Sequence, residues 1–174
     1  MREYDFILKF RLPETDADPE QFVDELAEAG CDDATIGIGQ RGRIALNFAR
    51  EARSALDAVS SAVRDVKRAI PGVQLVEASP DFVGLSDVAD LVGCSRQNIR
   101  KLMITNIATF PVAVHEGTQS LWHLRPVLDW FAQTQKRPVD RALIEVSEVT
   151  MKVNIASDAR RASGVEKAIE ALLA

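Results

Sequence analysis

The chain has 174 residues, 47% of them hydrophobic and 27% charged, the composition of a soluble globular protein with room for one good core or two small ones. No apolar run approaches the length of a membrane-spanning helix and the opening Met1-Arg2-Glu3-Tyr4-Asp5 has no hydrophobic signal core, so membrane insertion is not expected and the cytoplasm is. Two distant cysteines, Cys31 and Cys94, and two histidines, His115 and His123, predict reduced thiols rather than a disulfide framework and leave no convincing metal cluster.

Residues 4–12 alternate Phe6, Leu8, Phe10 and Leu12 with Asp5, Lys9 and Arg11, which predicts a strand with one buried face. Pro13 and the acidic segment around Pro19 break it. From Pro19 to Gly30, Phe22, Val23, Leu26 and Ala27 recur at helical spacing, with Asp18 as N-cap and Gly30 as the stop. Asp32-Asp33 read as turn residues. Two strands follow about a glycine-rich turn, Thr35 to Ile38 and Arg43 to Phe48. A helix from Glu51 to Ile70 carries Leu56, Val59, Val63, Val66 and Ile70 along one side, and Val73 to Val76 supplies a last strand. The order β-α-β-β-α-β predicts an α+β fold that begins with a ferredoxin-like sandwich over residues 1–78, four strands beneath two helices.

Gly37-Ile38-Gly39-Gln40-Arg41-Gly42 spells the dinucleotide-binding fingerprint, but that motif needs a helix directly after its glycines to receive the pyrophosphate. Arg43 to Phe48 alternates as a strand instead. The glycines therefore read as a hairpin turn and no cofactor is expected; Arg41 and Arg43 read as solvated surface.

Residues 78–84 form an expected linker, with Phe82 packing against Trp122. In the stretch Leu85 to Ile104, Leu85, Val88, Ala89 and Val92 recur at helical spacing behind Ser86 as N-cap. Gly93 then turns the chain and Ser95 caps a second helix, whose apolar stripe is Ile99, Leu102 and Met103. Its opposite face carries Gln97, Asn98, Arg100 and Lys101, with Arg96 at the margin. Ala89, Gly93 and Ile99 supply the small residue, the turn glycine and the branched plug that two steeply crossing helices require.

Downstream come Phe110-Pro111, Val112 to Val114, the polar turn His115-Glu116-Gly117-Thr118-Gln119, then Ser120-Leu121-Trp122 and a helix holding Val127, Leu128, Trp130 and Phe131. Two short strands about such a turn make a wing, and Pro126 suits the first turn of the helix that follows. This order of anchors resembles the MerR-like winged helix-turn-helix of excisionases and AlpA-type regulators over residues 82–134. The resemblance implies that the helix after Gly93 lies in the major groove. Where wings of that family often carry a basic tip, this one has Glu116, Thr118 and Gln119.

Charge distribution points the same way. Residues 1–80 hold 10 basic and 15 acidic side chains, net −5, whereas residues 95–141 hold 7 and 3, net +4. In the tail, residues 135–174, Val149, Met151, Val153 and Ile155 alternate as in a strand, but Val139, Leu143, Val146, Val149 and Val153 also follow helical spacing. The flanking Asp140-Arg141-Ala142 and the Ala-, Arg- and Lys-rich end favour helix. The tail's stripe of Leu143, Val146, Val149 and Val153 packs either on its own chain or on a second copy, and a further helix is expected from Val165 to Leu173.

With no persuasive pairing of nucleophile and base, an enzyme is not expected. The predicted function is sequence-specific binding of double-stranded DNA as a transcriptional regulator or excisionase-like factor, by a homodimer. Ser95, Arg96, Gln97, Asn98, Arg100, Lys101, Thr118 and Gln119 are its candidate DNA contacts. The alternative is an interaction module whose N-terminal domain takes a protein or small-molecule effector, with the helix-turn-helix as scaffold.

Overall fold

The computed structural model describes residues 1–37, 39–136 and 138–162. The predicted helix from Val165 to Leu173 lies outside them. The fold is α+β, with one four-stranded antiparallel sheet and six helices. No described helix is long and apolar enough to cross a membrane.

Alternation builds the sheet. Strand β1 (Arg2–Arg11) buries Tyr4, Phe6, Leu8 and Phe10 on one face and exposes Glu3, Asp5 and Lys9 on the other. Strand β3 (Arg43–Ala52) pairs with it antiparallel in continuous register, so that Phe6 and Phe48 sit opposite each other and stack with ring centres 5.1 Å apart. Strands β2 (Ala34–Gly37) and β4 (Gln74–Ser79) complete the order β2-β3-β1-β4. The glycine-rich turn between β2 and β3 is followed directly by strand, as expected. There Gly42 has φ 73° and a Cβ on it would sit 2.2 Å from the Thr15 carbonyl oxygen, so only glycine fits.

Helices α1 (Val23–Glu28) and α2 (Ala55–Ala69) join the apolar face of the sheet in one core. A 3-10 turn over Pro19–Phe22, capped by Asp18, leads into α1. The predicted start of α2 is four residues too early, because β3 continues to Ala52 and the Ser54 hydroxyl caps the helix by accepting the Asp57 N–H. Leu56 also leaves the predicted stripe. It is 62% exposed, while Ala55, Ala58 and Ala62 join Val59 and Val66 on the buried side. Beneath this layer Arg50 uses all five of its N–H groups, on Asp33, Asp65, Ser61 and the Gly30 carbonyl. Burial opposes its charge, but the hydrogen bonds and fields of Asp33 and Asp65 prevail and hold its pKa above the usual arginine value. Asp33 is thus an anchor rather than only a turn residue. Burial pushes the neighbouring Cys31 thiol up to about 11, which keeps it protonated at neutral pH.

A second core gathers Val83, Val88, Ala89, Ile99, Phe110, Trp122, Leu124, Val127, Leu128, Trp130 and Phe131. It is built by β5 (Phe82–Val83), α3 (Leu85–Val92), α4 (Arg96–Thr105), β6 (Trp122–His123) and α5 (Leu124–Thr134). Phe82 does not pack on Trp122 as expected: it lies against His123 with ring centres 5.2 Å apart and the planes tilted by 31°, and Phe110 meets Trp122 edge-on instead. The reason is the pairing of β5 with β6, which sets Phe82 opposite His123.

Helix α6 (Arg141–Arg161) belongs to both cores. Val146 is buried in the first, with Val149 and Val153 packed against it, while Leu143 and Ile144 pack against the second. Of the tail's stripe, Val146 is thus buried within its own chain, while Leu143, Val149 and Val153 pack there half-buried. A polar line runs along the same helix. The Asn154 side chain accepts the Ala78 N–H and donates to the Ala78 carbonyl and to Asp81, each at 2.8 Å, and the Thr150 hydroxyl donates to the Pro80 carbonyl at 2.6 Å. Arg161 reaches the Leu75 and Val76 carbonyls, so α6 closes the outer edge of β4.

Surface carboxylates tie the start of α6 down. Glu145 accepts the Tyr4 hydroxyl at 2.6 Å and also meets Arg141 and Arg2, and these contacts hold its pKa below the usual carboxylate range. Lys152 and Arg125 do the same for Glu148. A carboxyl group whose folded pKa is depressed stabilises the fold above its unfolded pKa and loses that contribution as pH falls through the folded value. Acidification from about pH 6 to about pH 3 should accordingly lower the melting temperature and shift the NMR ring signals of Tyr4, the only tyrosine. Signals and stability unchanged across that range would show that Glu145 and Glu148 do not hold α6.

Candidate nucleic-acid interface

The pair α3 and α4 is fixed by its caps. Helix α3 begins one residue before the predicted Ser86 cap: Gly84 is the N-cap, and the Asp87 carboxylate reaches back to accept the Gly84 N–H at 2.7 Å. At the other end Gly93 is left-handed, φ 65° and ψ 46°, and the Cys94 N–H returns to the Ala89 carbonyl at 2.9 Å. Ser95 then caps α4 by accepting the Asn98 N–H at 3.2 Å. Ile99, fully buried, and the half-buried Leu102 and Met103 turn one side of α4 into the second core.

That packing decides what faces outward. Ser95, Arg96, Gln97, Asn98, Arg100 and Lys101 are all exposed. At 100° per residue Gln97, Lys101 and Ile104 fall within an arc of about 60°, with Arg100 on one flank and Thr105 on the other. These five side chains line one shallow cleft. Arg96 and Asn98 stand at its two margins. Helix α4 carries no acidic residue, and no carboxylate among the described residues pairs with Arg96, Arg100 or Lys101. Among the described residues Arg11, Arg43, Arg53, Arg64, Lys67 and Arg160 likewise meet none, so what distinguishes α4 is that its cations share one outward helix face free of acidic residues.

The segment after α4 departs from the predicted wing. Val112 to Val114 is not a strand. A single bridge, His115 to Leu121, closes the loop, and Trp122 pairs with Val83 rather than extending a hairpin. The Trp122 indole N–H donates to the Pro111 carbonyl at 3.0 Å and that of Trp130 to the Thr109 hydroxyl at 3.3 Å, which ties this segment to the second core. Thr118 and Gln119 are exposed at the loop tip and do not line the α4 cleft.

Sequence reasoning missed Ile104 as part of the outward face, although it lies seven residues after Gln97 and so on the same side. It also missed the support behind the helix pair. Asp81 is buried, its carboxylate meets His123 Nδ1 at 2.7 Å and the Asn154 amide, and its carbonyl accepts the Leu124 N–H at 2.7 Å. With Phe82 lying against it, His123 is a framework residue at the head of α5. Among the described residues no group of three or more His, Cys, Asp or Glu side chains is arranged to hold a metal ion.

The chain matches no protein-family model, no curated protein and no solved structure.

Gly93 provides a test of the turn. A Cβ there would meet no atom within 4 Å, so Gly93→Ala carries only the backbone penalty of a left-handed residue, about 1–2 kcal/mol. Urea unfolding should show a loss of that size with the slope unchanged. A loss near zero would mean that the turn relaxes out of the left-handed conformation.

Proposed function

We propose that this protein binds double-stranded DNA sequence-specifically, as a transcriptional regulator or excisionase-like factor, with α4 in the major groove. The observation that carries this reading is the outward face of α4: three cations that meet no carboxylate among the described residues, and two amides, on a helix whose other side is locked into a core. Phosphates attract such cations regardless of sequence, and amide and guanidinium groups read base edges. Gln97 and Asn98 suit adenine, Arg100 suits guanine or phosphate, and Lys101 suits phosphate. In this reading residues 82–134 form a helix-turn-helix unit in which a loop closed by the His115–Leu121 bridge stands in the place of the wing, and the order β2-β3-β1-β4 is that of a ferredoxin-like sandwich.

A homodimer reading two half-sites belongs to the proposal. Because the α6 stripe packs within its own chain, the open edge of β2 is the better joint. A second reading, a protein-interaction module, draws on the apolar cleft between α2 and α6, where Leu56 lies exposed beside Val149, Val153 and Ala156.

Fluorescence anisotropy with a mixed-sequence duplex separates these readings. Binding should weaken steeply with added salt, and the double variant Arg100→Ala, Lys101→Ala should lower the log–log salt slope by about two while keeping the parent's circular dichroism. Equal affinity and slope in parent and variant would remove α4 as the docking face.

A further inference from the structure

Ile104 is out of place on the outward face of α4. The inward stripe of Ile99, Leu102 and Met103 already supplies the core side of the helix, yet Ile104 stands 58% exposed among Gln97, Arg100, Lys101 and Thr105. An isolated exposed aliphatic residue is ordinary. This one lines a shallow cleft together with two cations, an amide and a hydroxyl.

The occupant of such a cleft must offer three things together: a small apolar group for Ile104, negative charge beside it for Arg100 and Lys101, and a hydrogen-bonding edge for Gln97. The major groove meets all three at an A·T pair. Thymine presents a 5-methyl group there, adenine presents the N7 acceptor and N6 donor that a glutamine amide can engage in pairs, and the backbone phosphates flank both. A G·C pair offers no methyl. Building on the DNA-binding reading above, we infer that Ile104 is a specificity-determining residue that seats a thymine 5-methyl group, so that the outward face of α4 from Gln97 to Ile104 selects A·T pairs in the groove.

Deoxyuridine differs from thymidine by that methyl alone. The test compares binding of an alternating dA–dT duplex with the same duplex carrying deoxyuridine for every thymidine, using the full chain and Ile104→Ala. Burying one methyl corresponds to about fourfold in affinity. The parent should therefore prefer the thymidine duplex by about that factor or more, whereas Ile104→Ala should bind both duplexes alike, at the level the parent shows for deoxyuridine. Ile104→Val should keep part of the preference. Being exposed, the site should tolerate these changes, which matching melting temperatures would verify.

Equal binding of the two duplexes by the parent would overturn the inference while leaving DNA binding intact. A thymidine preference that survives in Ile104→Ala would overturn it too, since duplex stiffness rather than the side chain would then be sensing the methyl. No salt-sensitive binding to either duplex would remove the DNA-binding reading and this subsite with it, and would favour an acidic, aliphatic protein segment as the occupant.

Discussion

A carboxylate taken out of water must be matched at each of its oxygens, and Asp81 is matched by two distant parts of the chain at once. His123 at the head of α5 holds one oxygen and Asn154 on α6 the other, while its own carbonyl receives the Leu124 N–H. Asn154 in turn grips both backbone groups of Ala78 on β4. Displacing any partner strands a buried polar group, at about 1–3 kcal/mol. The junction between the sheet and the second core is therefore specified by hydrogen-bond geometry rather than by apolar contact alone. Among the described residues no buried side-chain nitrogen or oxygen is left without a partner.

From this junction the position of α4 follows. Helix α6 is held in the first core by Val146 and in the second by Leu143 and Ile144, and Arg125 links α5 to Glu148 on α6. Helix α5 then supplies Val127, Leu128, Trp130 and Phe131 to the core that also takes Ile99 and Ala89. With that side of α4 buried, its charged side has only solvent or a ligand to face. The division of charge, net −5 over residues 1–80 against +4 over residues 95–141, is consistent with an acidic unit presenting a cationic one.

Much of this was legible wherever a single physical rule governs a segment. Strict alternation marks β1 and β3, the cap at Asp18 and the turn at Gly93 follow from residue chemistry, and the stripe of Ile99, Leu102 and Met103 identifies the buried side of α4. The readings failed where a segment's partner lies far off in the chain. Strands β5 and β6 are two residues each and have no periodicity to read, so Phe82 was given the wrong ring to pack on. Thr150 and Asn154 look like helix surface, because polar residues at helical spacing signal burial only once Pro80 and Asp81 are known to lie beneath them. Asp33 looked like a turn residue for the same reason, its partner Arg50 being seventeen positions away. Ile104 belongs to neither the stripe nor the charged face as read from sequence, because a single exposed aliphatic residue carries no signal of its own.

If the Asp81 junction and α6 make one cooperative body of the two cores, differential scanning calorimetry at neutral pH should show a single transition in which the calorimetric and van't Hoff enthalpies agree. Two resolved transitions, or a calorimetric enthalpy well above the van't Hoff value, would show that the cores melt independently and that the junction does not fix the helix pair.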